Sequence, residues 1–181
     1  MSSEVKGAWF VAARAWLESR SSLEATARVL AADVRRALVE PIPTGWYPEA
    51  FLQEAMAAVR TVVAPEPAQF VDAMDACTEI GTSRFFRALL RVASPGFVLQ
   101  QVPTMWRLIR RGDARIVVKT DVGSARLVYS GFPYFNDENY CLLTEGALRA
   151  VVRTCTGRNP KVTLLRSTAS SLEVDVRWVK R

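Results

Sequence analysis

The sequence predicts an α+β fold, an N-terminal helical lobe packed on a C-terminal antiparallel ββαββ sheet. Three observations carry this. Apolar residues recur at helical spacing through about residues 1–112. From about residue 113 the period drops to two, in four β-rich segments. One long helical segment, 137–156, separates the first two of these from the last two. With 181 residues, 50% hydrophobic and 23% charged, the chain reads as one domain over 1–181: a helical lobe at about 1–112 and a sheet-containing lobe at about 113–181. A chain of this length buries roughly 70% of its unfolded surface and needs no covalent staple.

The elements follow in order. Val5, Trp9, Ala12 and Trp16 share helical spacing. Ser21-Ser22-Leu23-Glu24 has the form of a capping box. Behind it Leu23, Ala27, Leu30, Val34 and Leu38 mark the face of one helix. Pro41, Pro43 and Gly45 break the pattern, and Pro48 suits the first position of the next helix, whose stripe is Phe51, Ala55, Ala58 and Val62. After Pro65 and Pro67 a helix runs to about Ile80. Another covers residues 83–92, and a third starts at Ser94-Pro95 and ends at Gly112, bent at Pro103. Residues 115–120 and 125–130 are strands joined by a hairpin signal, Asp121-Val122-Gly123-Ser124. The helix over 137–156 is capped by Asp137 and stopped by Gly157. Strands follow at 161–167 and 171–179. In the last, Leu172, Val174, Val176 and Trp178 point one way and Glu173, Asp175 and Arg177 the other.

Composition narrows the chemistry. The chain has no histidine, which removes Ser-His-Asp and Cys-His catalysis, imidazole zinc sites and proximal-histidine haem ligation together. Cys77, Cys141 and Cys155 form no CxxC pair, so neither a dithiol redox motif nor a structural zinc site is expected. Neither GxxxxGK[ST] nor GxGxxG occurs. Gly81-Thr82-Ser83-Arg84-Phe85 starts like a nucleophile elbow but lacks the second glycine and a base for Ser83. Three thiols, and a start without the basic-then-apolar order of a signal peptide, predict a cytoplasmic protein. No stretch resembles a membrane span. The net charge is +6, and twenty of the 24 basic residues are arginine. Arginine suits solvated faces, and it also suits bidentate contacts with an anionic partner.

Four groups are candidates for function. "GFPYFNDENYCLLTEGALRAVVRTCTG", residues 131–157, puts Phe132, Tyr134 and Phe135 at one mouth of a pocket or over the edge of the domain. Cys141 sits one turn into the helix. A helix N-terminus can stabilise a thiolate, but the neighbouring residues are acids, so a packed thiol is the simpler role. Gly146, Ala147 and Ala150 form a small-residue strip that lets the helix sit close on the sheet. Asp72, Asp75 and Glu79 share a helix face, and Arg84, Arg87 and Arg91 repeat that spacing on the next helix, which suggests that the two helices pair. Arg107, Arg110, Arg111 and Arg115 gather at a helix end beside Trp106. There they complement the helix dipole or form a partner or anion surface.

The order "VPTMWRLIRRGDARIVV", "ARLVYSGFP", an aromatic loop, "CLLTEGALRAVV" and a final strand ending in Trp178 resembles an uncharacterised myxobacterial paralogous domain family. More distantly it is similar to the superfamily of haem-nitric-oxide-binding domains, vinyl-4-reductase-type small-molecule-binding domains and Bet3-like subunits of the transport protein particle. The resemblance runs from about Gly7 to Trp178. It implies a non-enzymatic sensor, ligand-binding or assembly domain of that fold. The haem branch relies on a proximal histidine and a Tyr-x-Ser-x-Arg pattern. This chain has no histidine and continues from Tyr129 directly into Ser130-Gly131-Phe132, so no cofactor is expected.

The resulting expectation is a non-catalytic bacterial signalling or assembly module. Its partner is another protein or a second copy, with room for an apolar small molecule between lobe and sheet. Trp106, Phe132, Tyr134, Phe135 and Cys141 would lie near the pocket. Arg107, Arg110, Arg111 and Arg115 would form the partner surface. The competing reading is a non-specific nucleic-acid-binding protein, which the charge favours and the lack of a recognition motif opposes.

Overall fold

The structure, a computed structural model, describes residues 3–179; the side chains of residues 84–86 lie outside the described residues. The chain opens with β1 (Glu4–Lys6), followed by α1 (Ala8–Ser19), α2 (Leu23–Arg28), α3 (Ala32–Val39), β2 (Trp46–Pro48), α4 (Glu49–Val62) and α5 (Pro67–Gly81). Next come α6 (Arg84–Val92), α7 (Pro95–Gln100), α8 (Val102–Ile109) and β3 (Arg110–Arg111). The C-terminal part holds β4 (Arg115–Asp121), β5 (Ser124–Ser130), α9 (Glu138–Thr156), β6 (Lys161–Ser167) and β7 (Ser171–Arg177).

The ββαββ unit forms one antiparallel sheet in the order β4-β5-β7-β6. Alternation drives it: Ala125, Leu127 and Tyr129 on β5 and Leu172, Val174 and Val176 on β7 are all buried on one face. Because β7 lies between β5 and β6, the edges are β4 and β6. The strand at 171–177 is interior, so the charges of Glu173 and Asp175 do not guard an edge. Asp137 caps α9 by accepting from the Asn139 amide at 2.9 Å, and Gly157 ends it at φ +73°.

Several sequence expectations give way to long-range contacts. The helix expected over 23–38 divides into α2 and α3, because Ala31 is extended and its amide donates to Glu54 Oε1 on α4 at 2.7 Å. The capping box expected at Ser21 does not form. Ser22 is the cap residue, its hydroxyl donates to the Arg20 carbonyl, and Glu24 pairs with Arg28. The capping box that does form is Glu66 with Gln69, at the head of α5. The bent helix expected up to Gly112 is two helices, α7 and α8, with Pro103 in the first turn of α8.

A second sheet has no counterpart in the sequence pattern. β1, β2 and β3 pair antiparallel in the order β2-β1-β3, with Val5 opposite both Tyr47 and Arg110. Val5 is therefore a strand residue and not part of the first helix, and Pro48 ends β2 and precedes α4. The small-residue strip also faces elsewhere than expected. A Cβ at Gly146 would come within 2.7 Å of the Val71 carbonyl oxygen and 2.9 Å of the Asp75 amide, so this glycine brings α9 close to α5, not to the sheet.

Candidate functional site

A cavity of about 540 Å³ lies where the helical lobe meets the α9–β5 layer. α8 gives it Val102, Met105, Trp106 and Ile109, α9 gives Leu143, Ala147, Leu148 and Val151, and Trp9 of α1 and Tyr129 of β5 complete a mostly apolar wall. Exposed Leu108 stands at its rim. Both the size and the composition are those of small-molecule pockets, roughly 300–1,000 Å³ with few polar groups. The threonine hydroxyls around it are turned back on their own helices: Thr78 donates to the Met74 carbonyl at 2.8 Å, Thr82 to the Thr78 carbonyl at 2.7 Å and Thr144 to the Tyr140 carbonyl at 2.8 Å.

The charged group in the wall is Arg110. α8 ends at Ile109 because Arg110 turns extended to pair with Val5, and this swings its side chain inward. The guanidinium lies 4.4 Å from the Trp106 ring centroid, 5.5 Å from Trp9 and 5.6 Å from Phe132. Its Nε donates to Glu49 Oε1 at 3.1 Å, with the two side chains 4% and 0% exposed. Behind the pair, the Tyr140 hydroxyl donates to the Glu49 carbonyl at 3.1 Å. Burial, reinforced by the Glu49 charge, pushes the Tyr140 phenol well above its ordinary value. The Tyr129 phenol is also pushed up by burial, against the lowering effect of the Arg110 charge, and so stays protonated.

The predicted site residues separate into three groups. Trp106 lines the cavity. Phe132 and Phe135 do not; both are fully buried, with ring centroids 5.1 Å apart. Phe132 also meets Trp106 edge-on at 5.2 Å and Tyr140 at 5.3 Å, so this cluster supports the wall from behind. Tyr134 is half-buried against Phe132 and Tyr140. Cys141 is buried away from the cavity. Its thiol donates to the Phe135 carbonyl and lies 3.5 Å from the Ser167 hydroxyl, and burial pushes its pKa up. Arg107, Arg111 and Arg115 are exposed, with Arg111 stacked 4.1 Å over Trp46. Arg110 is buried and so does not belong to the expected partner surface. The sequence reasoning missed Trp9, Glu49 and Tyr129, which reach the site from segments far apart in the chain.

The acidic stripe also finds a different partner from the one expected. Asp75, 2% exposed, accepts from Arg149 at 2.5 Å and from both terminal nitrogens of Arg153 at 2.6 Å. Glu79 pairs with Arg153 at 2.7 Å, and Asp72 pairs with Arg149. These cations come from α9. Arg87 instead donates to the Thr82 carbonyl, and the Arg84 side chain lies outside the described residues. Cys77 and Cys155 are buried free thiols, and burial pushes Cys77 up to about 12.

No protein-family model and no curated protein matches this sequence. Solved structures do. The chain is similar to an Fe(II) unliganded H-NOX protein from K. algicida, with a TM-score of 0.70, 9% identity and coverage of 97% of both chains. A point mutant of the T. tengcongensis H-NOX gives 0.69 at 11% identity, covering 95% of this chain and 96% of that one. An S. oneidensis H-NOX protein in the Fe(II)NO state gives 0.64 at 12%, covering 97% and 99%. At such low identity the likeness concerns architecture: this chain has the H-NOX fold.

Proposed function

We propose that the protein is a non-catalytic sensor module that holds an apolar small molecule in the cavity between helical lobe and sheet and reports it through a protein contact. The observation that supports this is the cavity itself. It is large, apolar, walled by two indoles, and located at the junction of α1, α5, α8, α9 and β5. α8 supplies wall residues from one side, exposed Leu108 at the rim and exposed Arg107 outside the wall, so a ligand that shifts α8 alters an accessible surface.

A haem does not fit this wall. H-NOX structures of this fold concern haem distortion. Here the sequence offers no imidazole, the Tyr129 phenol is held protonated, Met105 brings only a thioether, and the three cysteines lie outside the main cavity. A catalytic reading has no support in the same wall, where no base accompanies a nucleophile.

Native mass spectrometry of the purified protein tests the reading. A retained apolar molecule at one per chain is expected, and Ala147→Phe, which places a ring in the cavity, should eliminate it. Added Nile red should bind the wild type one-to-one and the variant at least tenfold more weakly. Equal binding by both proteins would place the ligand elsewhere, and no binding to either would remove the sensor reading.

A further inference from the structure

We infer that the occupant of the cavity is a neutral apolar molecule carrying one carbonyl oxygen, received by Arg110 and Tyr129. This rests on the ligand-binding reading above and names the chemistry of the ligand. The polar groups of the wall carry the inference. Arg110 donates through Nε to Glu49, and its Nη2 is buried with no partner among the described residues. The Tyr129 hydroxyl also makes no hydrogen bond among the described residues, although the residue is 2% exposed and lines the cavity. A buried guanidinium nitrogen without an acceptor is costly, and beside a cavity-lining phenol that makes no hydrogen bond it marks a place for an acceptor. The nearby threonine hydroxyls already donate within their helices. Glu49 Oε2 is unpaired as well, but Glu49 lies behind Arg110 and outside the cavity wall, where a ligand does not reach it. Beside the indole N–H groups of Trp9 and Trp106, the wall thus offers a guanidinium with an unpaired nitrogen and a phenol that stays protonated.

Charge decides between a carbonyl and a carboxylate. Glu49, 0% exposed, already neutralises Arg110. A ligand carboxylate would put two buried anions on one cation and leave a net charge in an apolar wall, which is strongly unfavourable. A ketone, aldehyde or ester oxygen satisfies the donors without adding charge. The indoles of Trp9 and Trp106 then accommodate the apolar body of the molecule.

Three matched probes test this by calorimetry on the full chain freed of bound ligand: 4-phenylbutan-2-one, butylbenzene and 3-phenylpropanoate. The ketone should bind about tenfold more tightly than the hydrocarbon, a ratio expected from pairing a buried donor, and the carboxylate should bind more weakly than the ketone. Tyr129→Phe should weaken the ketone about fivefold and leave butylbenzene unchanged, a split that a merely structural role would not produce. The double variant Glu49→Met/Arg110→Met, which removes both buried charges together, should reduce the ketone preference, and adding Tyr129→Phe to it should bring ketone and hydrocarbon to similar affinity. Equal affinity of ketone and hydrocarbon in the wild type would overturn the donor assignment while leaving the cavity reading standing. Tighter binding of the carboxylate would overturn the neutral-ligand assignment. A Tyr129→Phe variant that weakens both probes alike would reduce Tyr129 to a wall residue. Binding of none of the three would sink this inference, and the Nile red result would then decide separately whether the cavity binds anything.

Discussion

Arg110 sits between the indoles of Trp9 and Trp106 with its charge balanced by a carboxylate of zero exposure. Its neighbour Arg107 projects into solvent. The two should behave in opposite ways. Arg110→Ala leaves Glu49 buried without a counter-charge and removes the ring contacts, so stability should fall by about 3–5 kcal/mol. Arg107→Ala should change stability by less than about 0.5 kcal/mol. Urea denaturation of the two variants measures the difference; a small effect at Arg110 would mean that Glu49 finds another partner. Nothing local in "RLIRRG" separates the two arginines. The buried position is set by Val5 and Glu49, which lie far away in sequence, so the distinction is invisible to spacing.

Among the elements, α5 and α9 pack at close range. Gly146 lets the helices approach, and Asp75 then draws Arg149 and Arg153 across the gap. In an ordinary helix interior Gly→Ala gains about 1 kcal/mol. Here the added Cβ would meet backbone atoms at 2.7 and 2.9 Å, which cannot swing aside. Gly146→Ala should therefore destabilise by about 2 kcal/mol through overpacking, lowering the urea midpoint without changing the slope; a gain in stability would show that the helices can separate at little cost. The four strands of the larger sheet and the capped helix α9 are legible in the sequence because alternation, Asp137 and Gly157 are local signals. The strands β1, β2 and β3 are not. At three, three and two residues they are too short to show a period, and they exist only because they meet one another. The division of α2 from α3 has the same origin, a carboxylate reaching in from α4. The aromatic segment Phe132–Phe135 reads from sequence as one mouth of a pocket or a cover over the domain edge, whereas the cavity is lined by Trp106 and Tyr129 and not by Phe132 or Phe135. Aromatic density indicates burial but not which face of a ring meets empty space.

For the whole molecule, the charge of +6 is less concentrated than the composition suggests, because several arginines are paired inside the chain. Arg107 on α8 is an accessible cation beside exposed Leu108 of the cavity rim. If the proposed protein contact is with a second copy, self-association followed by sedimentation velocity should weaken about tenfold on Arg107→Glu, because Arg in a partly apolar surface is a frequent interface anchor. An association indifferent to this change but lost on Val117→Lys would move the interface to the β4 edge. A last consequence follows from the pairing of Val5 with Arg110. It joins chain positions about a hundred residues apart, and closing so long a loop costs about 4 kcal/mol of chain entropy. Contacts of such sequence separation are slow to form. Arg110 is seated at the cavity wall beside this contact, so the helices can assemble before that part of the wall does. A chain that has folded its helices without docking its first strand has most of its native shape but lacks the contact that seats Arg110.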